Sequence, residues 1–234
     1  AVFWFPAVVA GLLALWARRL PETLPVDRRR PFTWRAVGQA GLEVVTHRQT
    51  MALTVAITFL FASMTAYLGS SEVILEDVYG YGAWFPLFFG VIAVLLAINS
   101  LNNARLVGRL GVIPLVRGQA IIGVVAAIGL VAVSFTGDGQ PNFWLFTLAL
   151  CVVLPLVQGL SPNSNSLAME PLPHVAGTAS SIIATVTAAG GALLGGMASS
   201  AFDGTVRPFA IYVLVFISLA AASILWGTAK PVSR

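Results

Sequence analysis

Seven long apolar runs, separated by short polar segments, cover most of the 234 residues. They lie at about residues 1–16, 51–71, 84–101, 113–135, 143–160 (continuing toward 169), 175–202 and 209–226. A helix needs about 20 mainly apolar residues to cross a bilayer. The runs are unbroken and lack the alternation that marks the strands of membrane barrels. The pattern predicts an all-α, polytopic membrane helical bundle of about seven transmembrane helices. One long polar stretch, residues 18–50, separates the first run from the rest. Its first half holds Pro21, Pro25 and Pro31 and reads as irregular. Its second half places Trp34, Val37, Gly41, Val44 and Val45 at helical spacing, with Arg35, Gln39, Glu43 and His47 opposite. That pattern fits either a short helix lying in the membrane interface or an extension of the second span.

Composition supports the membrane reading. Hydrophobic residues make up 58% of the chain and charged residues 9%, against roughly 25% charged in soluble domains. So few charges cannot cover a water-facing surface of this size. The formal charge of +4 does not point to nucleic acid, because the basic residues sit between apolar runs. The opening run has no positively charged segment before it, so it does not read as a signal peptide. The chain reads as beginning inside a longer protein.

Charge placement predicts an orientation. Residues 18–50 carry Arg18, Arg19, Arg28, Arg29, Arg30, Arg35 and Arg48. Arg105, Arg109 and Arg117 follow the third run, and Lys230 and Arg234 end the chain. Of the thirteen basic residues, only Arg207 falls on the other side, together with Glu72, Glu76, Asp77, Asp138 and Asp203. The positive-inside rule then places the start outside and the C-terminus in the cytoplasm of a bacterial plasma membrane.

Polar side chains inside apolar runs are costly in lipid and face the bundle interior or a water-filled cavity. The second run presents Tyr67 and Ser71, with Glu72 at its outer end as a protonation candidate. Asn99, Gln119 and Gln158 carry amides that are hard to satisfy within one helix; interhelical hydrogen bonds are the alternative to a cavity role. Tyr67, Ser71, Asn99 and Gln158 are the substrate-cavity candidates. Gly191 and Gly195 form a GxxxG among further small residues and predict close helix packing. Pro155 removes one backbone hydrogen bond inside its run, and broken helices recur in transporters. His47 and His174 have no nucleophile at a suggestive spacing, and no GxxxxGK[ST] loop is present. The single cysteine, Cys151, excludes an intrachain disulfide and a zinc-ligand spacing. No catalytic residue, metal or cofactor is expected.

Four stretches carry a family resemblance. They are RLPETLP at 19–25, YLGSSEVILEDVYGYG at 67–82, NNARLVGRLG at 102–111 and PNSNSLAMEPLPHVAGTASS at 162–181. In order and spacing the chain resembles the C-terminal part of a major facilitator superfamily transporter of the Bcr/CflA drug:proton antiporter type. The resemblance implies that residues 1–17 are the last helix of an N-terminal half, 18–50 the central cytoplasmic loop, and 51–234 the six-helix C-terminal half. It implies five preceding helices, a small organic substrate, protons as coupling ion and alternating access. Arg105 and Arg109 read as anchors of the inner loop or as partners in interhelical charge contacts rather than as substrate contacts. Where such antiporters often carry Ser-Pro-Phe, this chain has Ser71, Glu72 and Val73. A seven-helix receptor also fits seven spans, but the last run has no lysine for a retinal Schiff base. A non-transporting scaffold is the third reading.

Overall fold

The structure is a computed structural model that describes residues 4–19 and 33–229. It divides into two compact units, residues 1–36 and 37–234. The first holds α1 (Trp4–Ala17), an apolar helix of 14 residues with no buried side chain. At about 1.5 Å per residue it is roughly 21 Å long, short of the roughly 30 Å hydrocarbon core. The PET segment, the arginine triplet 28–30 and the tail 230–234 lie outside the described residues.

The second unit contains six helices long and apolar enough to span a bilayer. They are α3 (Arg48–Val73), α4 (Phe85–Leu110), α5 (Val112–Ser134), α6 (Phe143–Met169), α7 (Ala176–Ser200) and α8 (Arg207–Gly227). A further helix, α2 (Trp34–Thr46), straddles the boundary and packs with this unit from Val37 onward. It is no extension of α3, because His47 adopts an extended backbone (φ −79°, ψ 110°) between them. No strand occurs among the described residues.

Each helix forms because an apolar run leaves the backbone no partner but itself. The boundaries are set by local chemistry. Asn142 caps α6 by accepting from the Trp144 and Leu145 N–H groups at 3.0 and 3.4 Å. Gly111, at φ 81°, ends α4 and opens α5, a left-handed conformation that favours glycine. Past Val73, α3 widens into one π turn, Ile74–Val78, that carries Glu76 and Asp77.

Central α3 packs on α6, α7 and α8, and α5 fills the space between α6 and α8. The α3–α7 contact depends on absent side chains. A Cβ at Gly191 would lie 2.5 Å from Phe61 Cδ1, and one at Gly195 would lie 2.5 Å from Thr65 Cβ and 2.7 Å from the Ala62 carbonyl oxygen. From the other side, Gly69 meets Ser199 in the same way. By contrast α4 packs on α6 and more lightly on α5, and only Ile92 and Asn103 along its length are buried.

Side chains tie the two ends. At the basic end, α3 caps the last carbonyls of its neighbours. Gln49 Nε2 donates to the Leu167 carbonyl at 2.8 Å, and Thr50 Oγ1 to that of Ala168 at 3.0 Å. Arg48 donates to the Ala229 carbonyl, and Arg117 Nε to Thr228 Oγ1 at 2.9 Å. Cations at a helix C-terminus oppose its partial negative charge. At the other end, the Val206 N–H donates to the Gly139 carbonyl at 3.0 Å, and Arg207 lies over the Phe135 ring.

Candidate functional site

The polar groups of the spans sort into three environments. The first is an amide cluster where α4, α5 and α6 meet. Asn103 Oδ1 accepts from Gln119 Nε2 at 3.0 Å and from Asn163 Nδ2 at 3.1 Å. Asn163 Nδ2 also donates to the Gly159 carbonyl at 3.0 Å. One turn along, Asn99 Nδ2 donates to the Pro155 carbonyl at 2.7 Å. Two stripes at four-residue spacing therefore face each other, Asn99 and Asn103 on α4 against Pro155, Gly159 and Asn163 on α6. Glycine at 159 makes room for them. A Cβ there would sit 3.1 Å from Gln119 Nε2, 3.2 Å from Asn103 Oδ1 and 3.4 Å from Asn99 Nδ2.

This cluster surrounds a weakened stretch of α6. Neither Pro155 nor Pro162 has an N–H to donate, so the Cys151 and Gln158 carbonyls lack their usual helical donor. At Gln158 two polar features coincide: that carbonyl and an exposed side-chain amide. Asn99 is half-buried and bonds the Pro155 carbonyl, whereas Gln158, three residues further along α6, is exposed.

The second environment is apolar. Tyr67 and Ser71 are buried and both line a small cavity with Phe88, Phe146, Leu150 and Phe209. Its volume of about 10 Å³ holds about one water, not an organic molecule. Tyr67 stacks on Phe89 of α4 with ring centroids 6.1 Å apart, and its hydroxyl has no hydrogen-bond partner among the described residues. Nearby Tyr79, beyond the end of the span, packs on Phe143 and Phe146. Burial pushes its hydroxyl above the ordinary tyrosine range, so it stays protonated.

The third environment is exposed. Gln158 on α6 and Ser180, Ser181 and Thr185 on α7 lie on the outside of the six-helix unit. The three α7 hydroxyls donate back to carbonyls of their own helix at 2.8–3.0 Å, which lowers the cost of facing an apolar medium. Gln158 has no such local solution. Glu72, at the end of α3, is exposed. So are Arg105 and Arg109 on the last turns of α4, neither of which has an acidic partner among the described residues. Gly191 and Gly195 are buried against α3. No group of three or more His, Cys, Asp or Glu side chains that could hold a metal occurs among the described residues.

Sequence reasoning missed Asn103 and Asn163. Asn103 was placed in a loop after the third run, yet it is the acceptor on which the amide cluster converges. The available signal was spacing: Asn103 follows Asn99 by four residues, and Asn163 follows Gly159 by four.

Comparison with known proteins agrees with this architecture. The profile of the Major Facilitator Superfamily matches residues 1–195. The chain is 26% identical to the bicyclomycin resistance protein homolog of Haemophilus influenzae, over 94% of this chain and 56% of that protein. It is also 26% identical to the uncharacterized MFS-type transporter YdgK of Bacillus subtilis, over 74% of this chain and 42% of that protein. The chain thus spans about half the length of the curated relatives it matches. No solved structure matches it. Six spanning helices, the Bcr/CflA-like motifs and a profile covering most of the sequence lead to one assignment: this multi-pass membrane chain belongs to the Major Facilitator Superfamily, a family of transporters rather than enzymes.

Proposed function

We propose that the protein exports drugs or other small organic molecules in exchange for protons, by alternating access. Gln158 carries this reading. It is an exposed amide in the middle of an apolar span, next to a carbonyl that Pro162 leaves without its helical donor. Lipid is a poor environment for such a group, whereas a water-filled pathway suits it. Broken helices that present free carbonyls near the midplane are a recurrent way to build a transporter site. The similarity to a bicyclomycin resistance protein homolog makes bicyclomycin the first substrate to test.

In this reading Gln158 and Asn99 meet the substrate first. Tyr67 and Ser71 lie one layer deeper and reach it only when α4 moves off α3 and α6. The loose packing of α4 supports that movement, and the glycine-lined α3–α7 pair moves as one body. Glu72 is the protonation candidate nearest the end of α3. The basic end faces the cytoplasm, which places the C-terminus inside.

The test is expression of the gene in a host lacking its own drug pumps, with susceptibility and efflux measured against bicyclomycin and a broad drug panel. Raised resistance with active efflux that collapses with the proton gradient is expected. Unchanged susceptibility across the panel would count against export.

A further inference from the structure

We propose that α2 is a docking surface for an anionic membrane leaflet, with Leu42 and Val45 entering the boundary between headgroups and acyl chains. The two sides of this helix are differently engaged. Ala40 and Val44 are buried, and a Cβ at Gly41 would lie 3.7 Å from Ile182 Cδ1 of α7, which places this side of the helix against that span. Leu42 and Val45, one turn apart on the other side, are 64% and 62% exposed. A helix already packed on one apolar side, with a second apolar strip exposed, requires a further apolar medium for that strip.

Depth identifies the medium. Ile182 is the seventh residue of α7, so the contact lies about 9 Å along that spanning helix. At that level α2 sits in the membrane interface rather than out in water. Glu43 holds it there by accepting from His174 Nε2 at 2.7 Å, just before α7 begins. An interfacial helix buries its apolar face about 5–10 Å into the headgroup region.

Charge identifies the lipid. Glu43 and Glu170 are the acidic side chains at this end among the described residues, and each already has a partner. Glu43 pairs with His174, and Glu170 accepts from Gln49 at 3.3 Å. Arg48, Arg105, Arg109 and Arg117 have no acidic partner among the described residues. This end therefore carries arginines without acidic partners among the described residues as well as an exposed apolar strip, a combination that fits phosphatidylglycerol-type headgroups rather than zwitterionic ones. The proposal goes beyond the transport reading and does not depend on the substrate.

The test uses the whole protein, with Cys151→Ser and one added cysteine at Leu42, Val45 or Gln39, each carrying a spin label. Accessibility to oxygen, which partitions into lipid, is compared with accessibility to a water-soluble nickel chelate. Vesicles containing phosphatidylglycerol are set against vesicles of phosphatidylcholine alone. Labels at 42 and 45 should favour oxygen in the anionic vesicles, while the label at 39 should favour nickel. The docked population should rise about fivefold for each arginine that engages the surface and fall back in high salt. Nickel access at 42 and 45 equal to that at 39 would overturn the proposal. So would equal burial in both lipids, or labels shielded from both reagents, which would mean that a protein covers the strip.

Discussion

The helices α7 and α4 are held to the same bundle by opposite means. Along α7, Gly191 and Gly195 allow van der Waals contact with Phe61, Ala62 and Thr65 of α3, with no space for even a methyl group. Along α4, most side chains are exposed, and the seam is made by amides: Asn99 to the Pro155 carbonyl, and Asn103 to Gln119 and Asn163. Close packing has one good arrangement, because its energy falls away within an ångström of separation. Hydrogen bonds between amides can be exchanged for bonds to water or substrate at little net change. The contrast separates two kinds of contact: α7 is locked to α3 by close packing, whereas the proposed alternating access assigns movement to α4, whose seam rests on exchangeable hydrogen bonds.

The largest effect should come from breaking the rigid side. Gly195→Val places a branched side chain 2.7 Å from the Ala62 carbonyl oxygen, which as backbone cannot move aside. Overpacking of this kind costs about 1–3 kcal/mol and occasionally more, and a clash with backbone belongs at the upper end, read as loss of monodisperse protein and a lowered Tm. The neighbouring Gly196→Val, where nothing lies within 4 Å, should leave both unchanged. Equal damage at the two positions would contradict the packing account.

On the amide side, Asn103→Leu removes the acceptor shared by Gln119 and Asn163, leaving Gln119 Nε2 without its partner and Asn163 with the Gly159 carbonyl alone. A loss of about 1–2 kcal/mol is expected, in the range of interhelical hydrogen bonds in membranes. A double-mutant cycle with Gln119→Leu should show coupling, since the pair shares one hydrogen bond at 3.0 Å. Additive effects would mean that the bond contributes nothing.

Smaller still is Tyr67→Phe. Its hydroxyl is buried without a partner among the described residues, so removal should leave the Tm unchanged or raise it by the equivalent of up to about 1 kcal/mol. A clear destabilisation would mean that the hydroxyl is bonded after all. The smallest stability effect belongs to Gln158→Ala, which is exposed. It should leave the Tm unchanged while efflux falls, separating a pathway residue from a structural one. Unchanged efflux would remove Gln158 from the site.

Much of the fold could be read from the sequence, because lipid forces helices wherever an apolar run is long enough. The ends could not. The third run was expected to stop near residue 101, but α4 continues to Leu110 through Asn102, Asn103, Arg105 and Arg109. Hydropathy tracks the lipid core, whereas a helix continues as long as its hydrogen bonds do. Likewise α3 gains a π turn reaching Val78, and α6 runs to Met169 through two prolines. The first run yields only a short described helix, Trp4–Ala17.

The polar seam was partly legible. Asn99, Gln119 and Gln158 stood out because amides are hard to satisfy alone, and the first two are hydrogen-bonded to other helices, which is the alternative to a cavity role. Which way each side chain faces was not legible. Tyr67 and Ser71 lie on a span whose apolar and small polar residues are spread around the helix, so periodicity could not distinguish an inward face from a cavity wall. The structure buries both. The same ambiguity hid Asn103, which sits past the end of the hydropathic run although its side chain is 7% exposed.

The most direct test of the contrast is a pair of spin-label distance distributions in proteoliposomes, with Cys151 replaced by serine. One pair joins Val55 on α3 to Leu193 on α7, and the other joins Leu87 on α4 to Leu193; all three positions are exposed. The account predicts one narrow distance for the first pair at every pH and substrate concentration. It predicts two populations for the second pair, exchanging as substrate or proton concentration changes. A second pair as narrow and invariant as the first would contradict it.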